Sequence, residues 1–246
     1  MIRNRHNWRA LYRALWVFEN PVRFIASLLW RSAPKTLRLR TPTGSVTLEL
    51  RNFESLKTVF SVFCREDYRI GGERALHFLD VGANVGISAV YFLSRHSRNT
   101  VRCYEPDSGN LDFLRENLAP FGARARIVER AVGITRDDLL LYRSADGKYS
   151  STVASSEAIA IQRIEADAFA DVLAEVQGIG WPSVVKLDVE GIERQLIAAI
   201  DFSNYPHVER LFCESTDCGE LIRRRHVRSL RNGYVEDLRF LPGTPC

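Results

Sequence analysis

Residues 75–88 read Ala-Leu-His-Phe-Leu-Asp-Val-Gly-Ala-Asn-Val-Gly-Ile-Ser. An apolar run of strand length ends at Asp80 and Val81, a glycine turn follows, and apolar residues at helical spacing resume from Ile87. Gly82 lets the chain turn sharply, and Gly86 permits close packing of the helix that follows. Dinucleotide-binding chains carry three glycines as GxGxxG. Here the spacing is GxxxG, with Ala83 and Asn84 after the first glycine. The missing middle glycine disfavours a nicotinamide dehydrogenase.

The texture around this stretch repeats it. Residues 75–81, 100–105, 125–132, 184–188 and 208–214 read as strands. Residues 87–95, 108–118, 166–177, 192–200 and 219–231 read as the helices between them. Repeated β-α-β units predict a doubly wound α/β fold with a mostly parallel sheet. Residues 139–142 and 159–164 suit an inserted hairpin, and residues 233–240 suit a last antiparallel edge strand. Upstream, residues 36–51 alternate as a β-hairpin around Thr-Pro-Thr-Gly, and residues 54–64 suit a helix.

The chain has 246 residues, 46% hydrophobic and 26% charged, values that exclude low-complexity and collagen-like classes. Its net charge of +4 is unevenly spread. Residues 1–40 carry nine basic side chains and one acid, Glu19, whereas the other 206 residues carry 25 basic and 29 acidic ones. Residues 1–40 are therefore read as a basic, aromatic-rich helical arm and residues 41–246 as the main domain. Trp8, Leu11, Tyr12 and Leu15 fall at helical spacing, and Asn20-Pro21 divides two short helices. Two readings of the arm stand side by side: a membrane-surface element within residues 1–35, and aromatics packed on the body or on a second subunit of a homodimer. No run reaches the ~18 uncharged apolar residues of a membrane span. No export signal is read, so the expected location is cytoplasmic, with the membrane surface as an added site of contact. The five cysteines lack zinc-type spacing and suit reduced thiols.

Chemistry is concentrated at strand ends. Asp80 stands two residues before Gly82, where it can bind a cationic amino group or order the loop. Glu105 ends the second strand, and a carboxylate there can accept both hydroxyls of a ribose. Acid, loop and acid together describe a site for a ligand with a ribose and an aminoacyl group but no pyrophosphate: S-adenosylmethionine. The expected cofactor contacts are Asp80, Gly82, Ala83, Asn84, Gly86, Ser88, Glu105 and Pro106, with Ala131 and Val132 lining the adenine pocket. The helix start is expected to offer free N–H groups to the ligand. Residues 186–193, Lys-Leu-Asp-Val-Glu-Gly-Ile-Glu, close the fourth main strand. Lys186, Asp188 and Glu190 alternate onto one side of it, where charge is costly unless paired or wet. An ion pair from Lys186 to Asp188 or Glu190 and an acid-lined acceptor pocket are both open readings, and the helix dipole favours Glu193 in the following first turn.

These motifs resemble the FkbM-type methyltransferases: Asp80-Val-Gly-Ala-Asn-Val-Gly-Ile-Ser88, Glu105-Pro106 followed by Asn110, Leu114 and Asn117, and residues 186–193, with Glu66-Asp67-Tyr68 upstream and Asn232-Gly233-Tyr234 late in the chain. The resemblance covers about residues 41–240 and departs mildly at Ser108 and Gly109, where the family often has proline. It implies a class I fold and methyl transfer from S-adenosylmethionine, usually to a hydroxyl of a sugar, glycan, polyketide or similar small molecule. It also implies that Tyr68 closes the site. Candidate bases are Asp188 and Glu190, then Glu214. Candidate acceptor contacts are Tyr68, Ser151, Lys186 and Glu193. No metal and no nucleic-acid partner are expected. An RNA methyltransferase using the basic arm and a non-catalytic, membrane-associated module of the same fold are the alternatives.

Overall fold

The computed structural model describes residues 5–144, 150–151, 158–189, 191–215, 217–232 and 234–241. The helices are α1 (Arg5–Val17), α2 (Pro21–Leu29), α3 (Phe53–Val59), α4 (Ile87–Leu93), α5 (Ser108–Leu118), α6 (Phe169–Gly178) and α7 (Glu193–Ala198). α3 runs on as a wider π turn, Phe60–Arg65. The strands are β1 (Thr36–Thr41), β2 (Gly44–Glu49), β3 (His77–Val81), β4 (Thr100–Tyr104), β5 (Ala125–Val128), β6 (Ala131–Gly133), β7 (Leu139–Ser144), β8 (Ser150–Ser151), β9 (Ala158–Ile164), β10 (Ala166–Ala168), β11 (Ser183–Leu187), β12 (Val208–Cys213), β13 (Val227–Asn232) and β14 (Val235–Phe240).

The main sheet has seven strands in the order β13-β14-β12-β11-β3-β4-β5. β5, β4, β3, β11 and β12 run parallel, whereas β14 and β13 pair antiparallel. The chain starts at the centre with β3, builds outward to β5, then returns to the other side of β3 as β11. The crevice between β3 and β11 is thus the switch point where open α/β sheets bind ligands.

Side chains alternate across this sheet. Phe78 and Val184 join a core shared with α1, α2, the β1–β2 hairpin, α3, α4 and α5. Leu79, Val81, Val185 and Leu187 join a second core with α6 and α7. Local chemistry starts several helices: Asn20 accepts from the Arg23 N–H with Pro21 in the first turn, Asn52 accepts from Ser55, and Asp107 accepts from Gly109.

Three expectations change and one is extended. Residues 219–231 are not a helix. They form one short turn, Gly219–Leu221, and then β13, which makes β14 an inner strand and β13 the edge. The predicted strand 125–132 divides into β5 and β6, and β6 pairs with β10 in a separate parallel ladder, which delays α6 to Phe169. The inserted strands β7 and β9 pair as expected, with β8 added. The boundary at residue 40 cuts through the hairpin, and the arm packs on the body, as one of its two readings has it. Ala10, Ala14, Phe18 and Phe24 are buried in the main core, Phe18 stacks on Phe24 at 3.7 Å, and Arg13 pairs with Glu66 at 2.8 Å. Cys64, Cys103, Cys213 and Cys218 are buried thiols. Among the described residues no helix is long and apolar enough to cross a membrane.

Candidate active site

The carboxyl ends of β3, β4 and β11 open into a cavity of about 780 Å³. Two backbone facts shape its floor. Gly82 adopts φ +78°, and a Cβ placed there would lie 1.8 Å from the Asp188 carbonyl oxygen. The first glycine is therefore required by the crossing of β3 and β11, before any ligand arrives. Gly86, also at positive φ, packs on Leu114 of α5, so its close contact is helix on helix. The loop's N–H groups are already used: Gly82 and Ala83 donate to the Tyr104 carbonyl, Asn84 to Glu105, Val85 to the Asn84 side chain and Gly86 to the Ala83 carbonyl. The expectation that residues 82–86 offer free donors is corrected. What the loop presents is its surface, with Gly82, Ala83, Asn84 and Val85 on the cavity wall.

Register explains the charge cluster behind this wall. Asp80 pairs with Lys186 across β3 and β11, so both side chains stand on the same face. Lys186 Nζ lies 3.1 Å from Asp80, 3.2 Å from Asp188 and donates to the Gly82 carbonyl at 2.9 Å. Ser88 donates to the other Asp80 oxygen at 2.5 Å. Asp80 is fully buried beneath the loop and does not line the cavity, so of its two expected roles it takes the ordering of the loop and not the contact with a ligand amino group. The Lys186–Asp188 pair is the ion pair foreseen as one reading, and Asp80 makes it a triad. Burial works against the Lys186 charge, yet Asp80, Asp188 and Glu214 more than offset it and hold the ammonium above its usual range. Burial pushes the Asp188 carboxyl up, and Lys186 restores it only in part. Asp188 keeps 26% of its side chain open, toward the cavity it lines.

On the opposite lip, the Tyr68 hydroxyl donates to Glu214 Oε1. Tyr68 is buried, edge-on to Phe212 at 5.5 Å, with Lys186 Nζ 5.9 Å from its ring centre. Burial, then the charges of Asp188 and Glu214, raises the phenol well above its ordinary value, which keeps it a donor. Glu214 follows β12 and presents its open surface to the cavity. Protein crowding and then the Asp188 charge push its carboxyl up to about 7, against the opposing pull of Tyr68 and Lys186. The titration reflects that crowding, while the open surface keeps water in contact with the group.

Glu105 is buried at the end of β4 and lines the cavity. Its Oε2 accepts from the Asn84 N–H, and its Oε1 from the Asp107 N–H and the Asn110 amide. Of about four acceptor positions on a carboxylate, one remains, so the expected grip on both ribose hydroxyls reduces to one. Burial raises the Glu105 carboxyl, opposed by those three donors. Tyr104, Pro106, Ala131 and Val132 complete this wall, as does Ser88 behind the loop. The far wall was largely missed: Asn52, Phe60, Ser61 and Val62 from α3 and its π turn, Arg51 bonded to Asn110 at 2.5 Å, Arg65 paired with Asp67, and Tyr234. The alternation of residues 36–51 ended with Arg51, a cation after a strand, and that was the available signal.

Three further candidates remain. Glu193 is buried at the start of α7, where its oxygens accept from the Val189 and Gly191 N–H groups at 3.1 Å. It closes its own loop and does not line the cavity, so it is removed from the acceptor contacts. Glu190 lies outside the described residues. Ser151 is placed only by the pairing of β8 with Tyr142, and its side chain lies outside the described residues. Among the described residues no group of three or more His, Cys, Asp or Glu is placed to hold a metal.

The sequence profile of the FkbM methyltransferase domain matches residues 80–226, more than half of the chain. The chain belongs to the FkbM methyltransferase family. Several solved structures are similar to this FkbM chain. One is a methyltransferase from Geobacter sulfurreducens, 12% identical over 68% of this chain and 71% of that one, with a TM-score of 0.41. Another is a SAM-dependent methyltransferase from Agrobacterium tumefaciens, 10% identical over 86% and 72%, TM-score 0.42. A third is the SAH-bound methyltransferase PaMTH1 of Podospora anserina, 10% identical over 78% and 80%, TM-score 0.39. The family assignment rests on the profile. No curated protein matches the chain significantly in sequence. The FkbM domain is an S-adenosylmethionine-dependent methyltransferase domain, and the donor set here fits that cofactor: a buried carboxylate at the end of β4 with one spare acceptor position, an apolar slot at Ala131 and Val132, and Asp188 at the switch point.

Proposed function

We propose that this FkbM domain methylates a hydroxyl oxygen of a sugar, glycan or other small molecule, with Glu214 as the general base. The observation that carries the proposal is the Tyr68–Glu214 pair on the cavity wall, with its carboxyl raised to about 7. S-adenosylmethionine supplies an electrophilic methyl group on a sulfonium. The protein then has to hold an oxygen in line with it and take up the proton as charge develops. Tyr68 occupies Oε1 of Glu214, which leaves Oε2 to accept from an incoming hydroxyl. A base that titrates near neutrality is matched to that transfer, and the open cavity returns the proton to water. Asp188 is the weaker candidate because Lys186 engages it directly. Lys186 serves the site by fixing Asp80, Asp188 and the Gly82 carbonyl, and Glu105 with Asn110 orients the donor.

The test is transfer of a labelled methyl group to a panel of monosaccharides, glycolipids and polyphenols. Glu214→Gln is expected to lower kcat by roughly 10²–10⁴-fold with donor affinity unchanged by calorimetry. A variant that keeps full turnover, or label found only on nitrogen, overturns the assignment.

A further inference from the structure

Helix α1 turns its two alanines to the core and several of its large side chains outward. Ala10 and Ala14 of α1 lie against the core, as do Phe18 and Phe24. The opposite face of α1 exposes Trp8, Tyr12, Leu15 and Trp16, with Trp8 62% and Trp16 68% exposed. Trp8, Tyr12 and Trp16 follow at i, i+4 and i+8, which makes them one continuous stripe. α2 exposes Val22 and Leu29, two turns apart, and ends in Trp30, 79% exposed. Arg9, Arg23 and Arg31 are exposed among these side chains. One of the two readings of the sequence packs these aromatics on the body. The body took the alanine stripe instead, because small residues let α1 approach the π turn closely enough for Arg13 to reach the Cys64 carbonyl and Glu66.

Three exposed tryptophans in one short segment are more than scattered surface apolarity. We propose that this face docks on an anionic lipid bilayer, with the aromatic rings at headgroup level and the arginines on lipid phosphates. Tryptophan and tyrosine suit that boundary because each joins a broad apolar ring to a polar N–H or O–H. Charge selects the lipid over a second copy of the chain. Arg9, Arg23 and Arg31 stand exposed beside the three tryptophans, and a two-fold dimer through this face would set those cations against themselves. The rest of the chain is mildly acidic, so a negative surface attracts the arm and repels the body, which orients the molecule. The π turn that receives α1 also lines the cavity through Phe60, Ser61, Val62 and Arg65. Docking therefore leaves two helix layers between the bilayer and the candidate site.

The experiment is flotation of the full chain with vesicles of phosphatidylcholine alone and with vesicles containing about one-third phosphatidylglycerol. The chain is expected to float with the anionic vesicles and to be released by salt. Arg9→Glu with Arg23→Glu is expected to weaken partitioning at least about fivefold per site. Trp8→Ser, Trp16→Ser and Trp30→Ser together are expected to abolish flotation while circular dichroism and donor binding stay unchanged, since all three side chains point away from the core. In a Trp181→Phe background, the remaining tryptophan emission is expected to shift to the blue on anionic vesicles. Absence of flotation overturns the proposal, as does equal flotation of the triple variant. A dimer that sediments as a monomer once the tryptophans are replaced, without vesicle binding, assigns the face to self-association instead. Displacement from vesicles by an RNA homopolymer that contacts the same arginines assigns it to nucleic acid.

Discussion

Replacing Lys186 by methionine removes a charge from the most enclosed ion triad of the molecule while nearly conserving side-chain length. Asp80 has no exposed surface and Lys186 has 3%, so water cannot take the place of the ammonium at Asp80. Loss of one partner from such a buried pair costs about 3–5 kcal/mol, because the remaining charge is left uncompensated. The lost hydrogen bond to the Gly82 carbonyl adds about 1 kcal/mol. Asp188 subtracts from the total, since its opening to the cavity admits water. A net loss of about 4 kcal/mol lowers the melting temperature of a chain this size by roughly 8–16 °C. The pH dependence has a definite sign. Without Lys186 the Asp188 carboxyl loses the cation that opposes its burial, so its folded titration lies further above the unfolded one. The folded variant then holds protons that the unfolded chain releases above about pH 4, and its stability falls as pH rises from there. Calorimetric melting at about pH 5 and about pH 8 should show the larger deficit at the higher pH. Asp80→Asn added to Lys186→Met should restore part of it. A single variant melting within about 2 °C of the parent, a deficit independent of pH, or a double variant no better than the single one refutes the reasoning.

Gly82→Ala sets a Cβ against the Asp188 carbonyl and a left-handed backbone against an L side chain; donor binding measured by calorimetry should be lost, with a melting temperature lower by more than about 6 °C. The kcat/KM of the parent should rise about tenfold per pH unit below about 7 and level above it, and Glu214→Gln should lack that limb. Because the folded titration of Glu214 lies above its ordinary 4.5, the carboxylate disfavours folding increasingly as pH climbs from 4.5 to 7. Glu214→Gln should therefore melt higher than the parent at about pH 8 and level with it at about pH 4. Phe24→Ala empties a fully buried, stacked position of the arm and should cost about 3–5 kcal/mol in urea unfolding. A loss below about 1 kcal/mol would mean that the arm is dispensable to the core.

The chemistry-bearing strand ends were legible because each combines a local signal with a positional rule. Residues 80–86 announce a turn that only glycine makes, and Glu105 and Asp188 stand where parallel strands must stop. Partner choice was not legible. Within residues 219–231, Val227 and Leu230 stand at i, i+3, a spacing that a helix would also produce. The deciding fact is a six-residue ladder with β14, which periodicity does not contain. The facing of α1 stays open in the sequence for a related reason. Hydrophobicity ranks tryptophan above alanine, whereas close approach to the π turn demands the smaller side chain. The roles of Asp80 and Glu193 turned on hydrogen-bond accounting: a carboxylate in a motif looks ligand-directed until Ser88, Lys186 or two backbone N–H groups claim its oxygens.

The cavity walls come from different parts of the chain. The loop at 82–85, Glu105, Ala131, Val132 and Asp188 fall inside the segment shared with the family, residues 80–226. Arg51, Asn52, Phe60–Val62, Arg65 and Tyr68 precede that segment, and Tyr234 follows it. The cavity is thus built from separate stretches of chain that meet only in three dimensions. Exchanging residues 51–68 between family members would rebuild that part of the wall alone, with one condition: the incoming segment must keep a hydrogen-bond donor opposite Glu214.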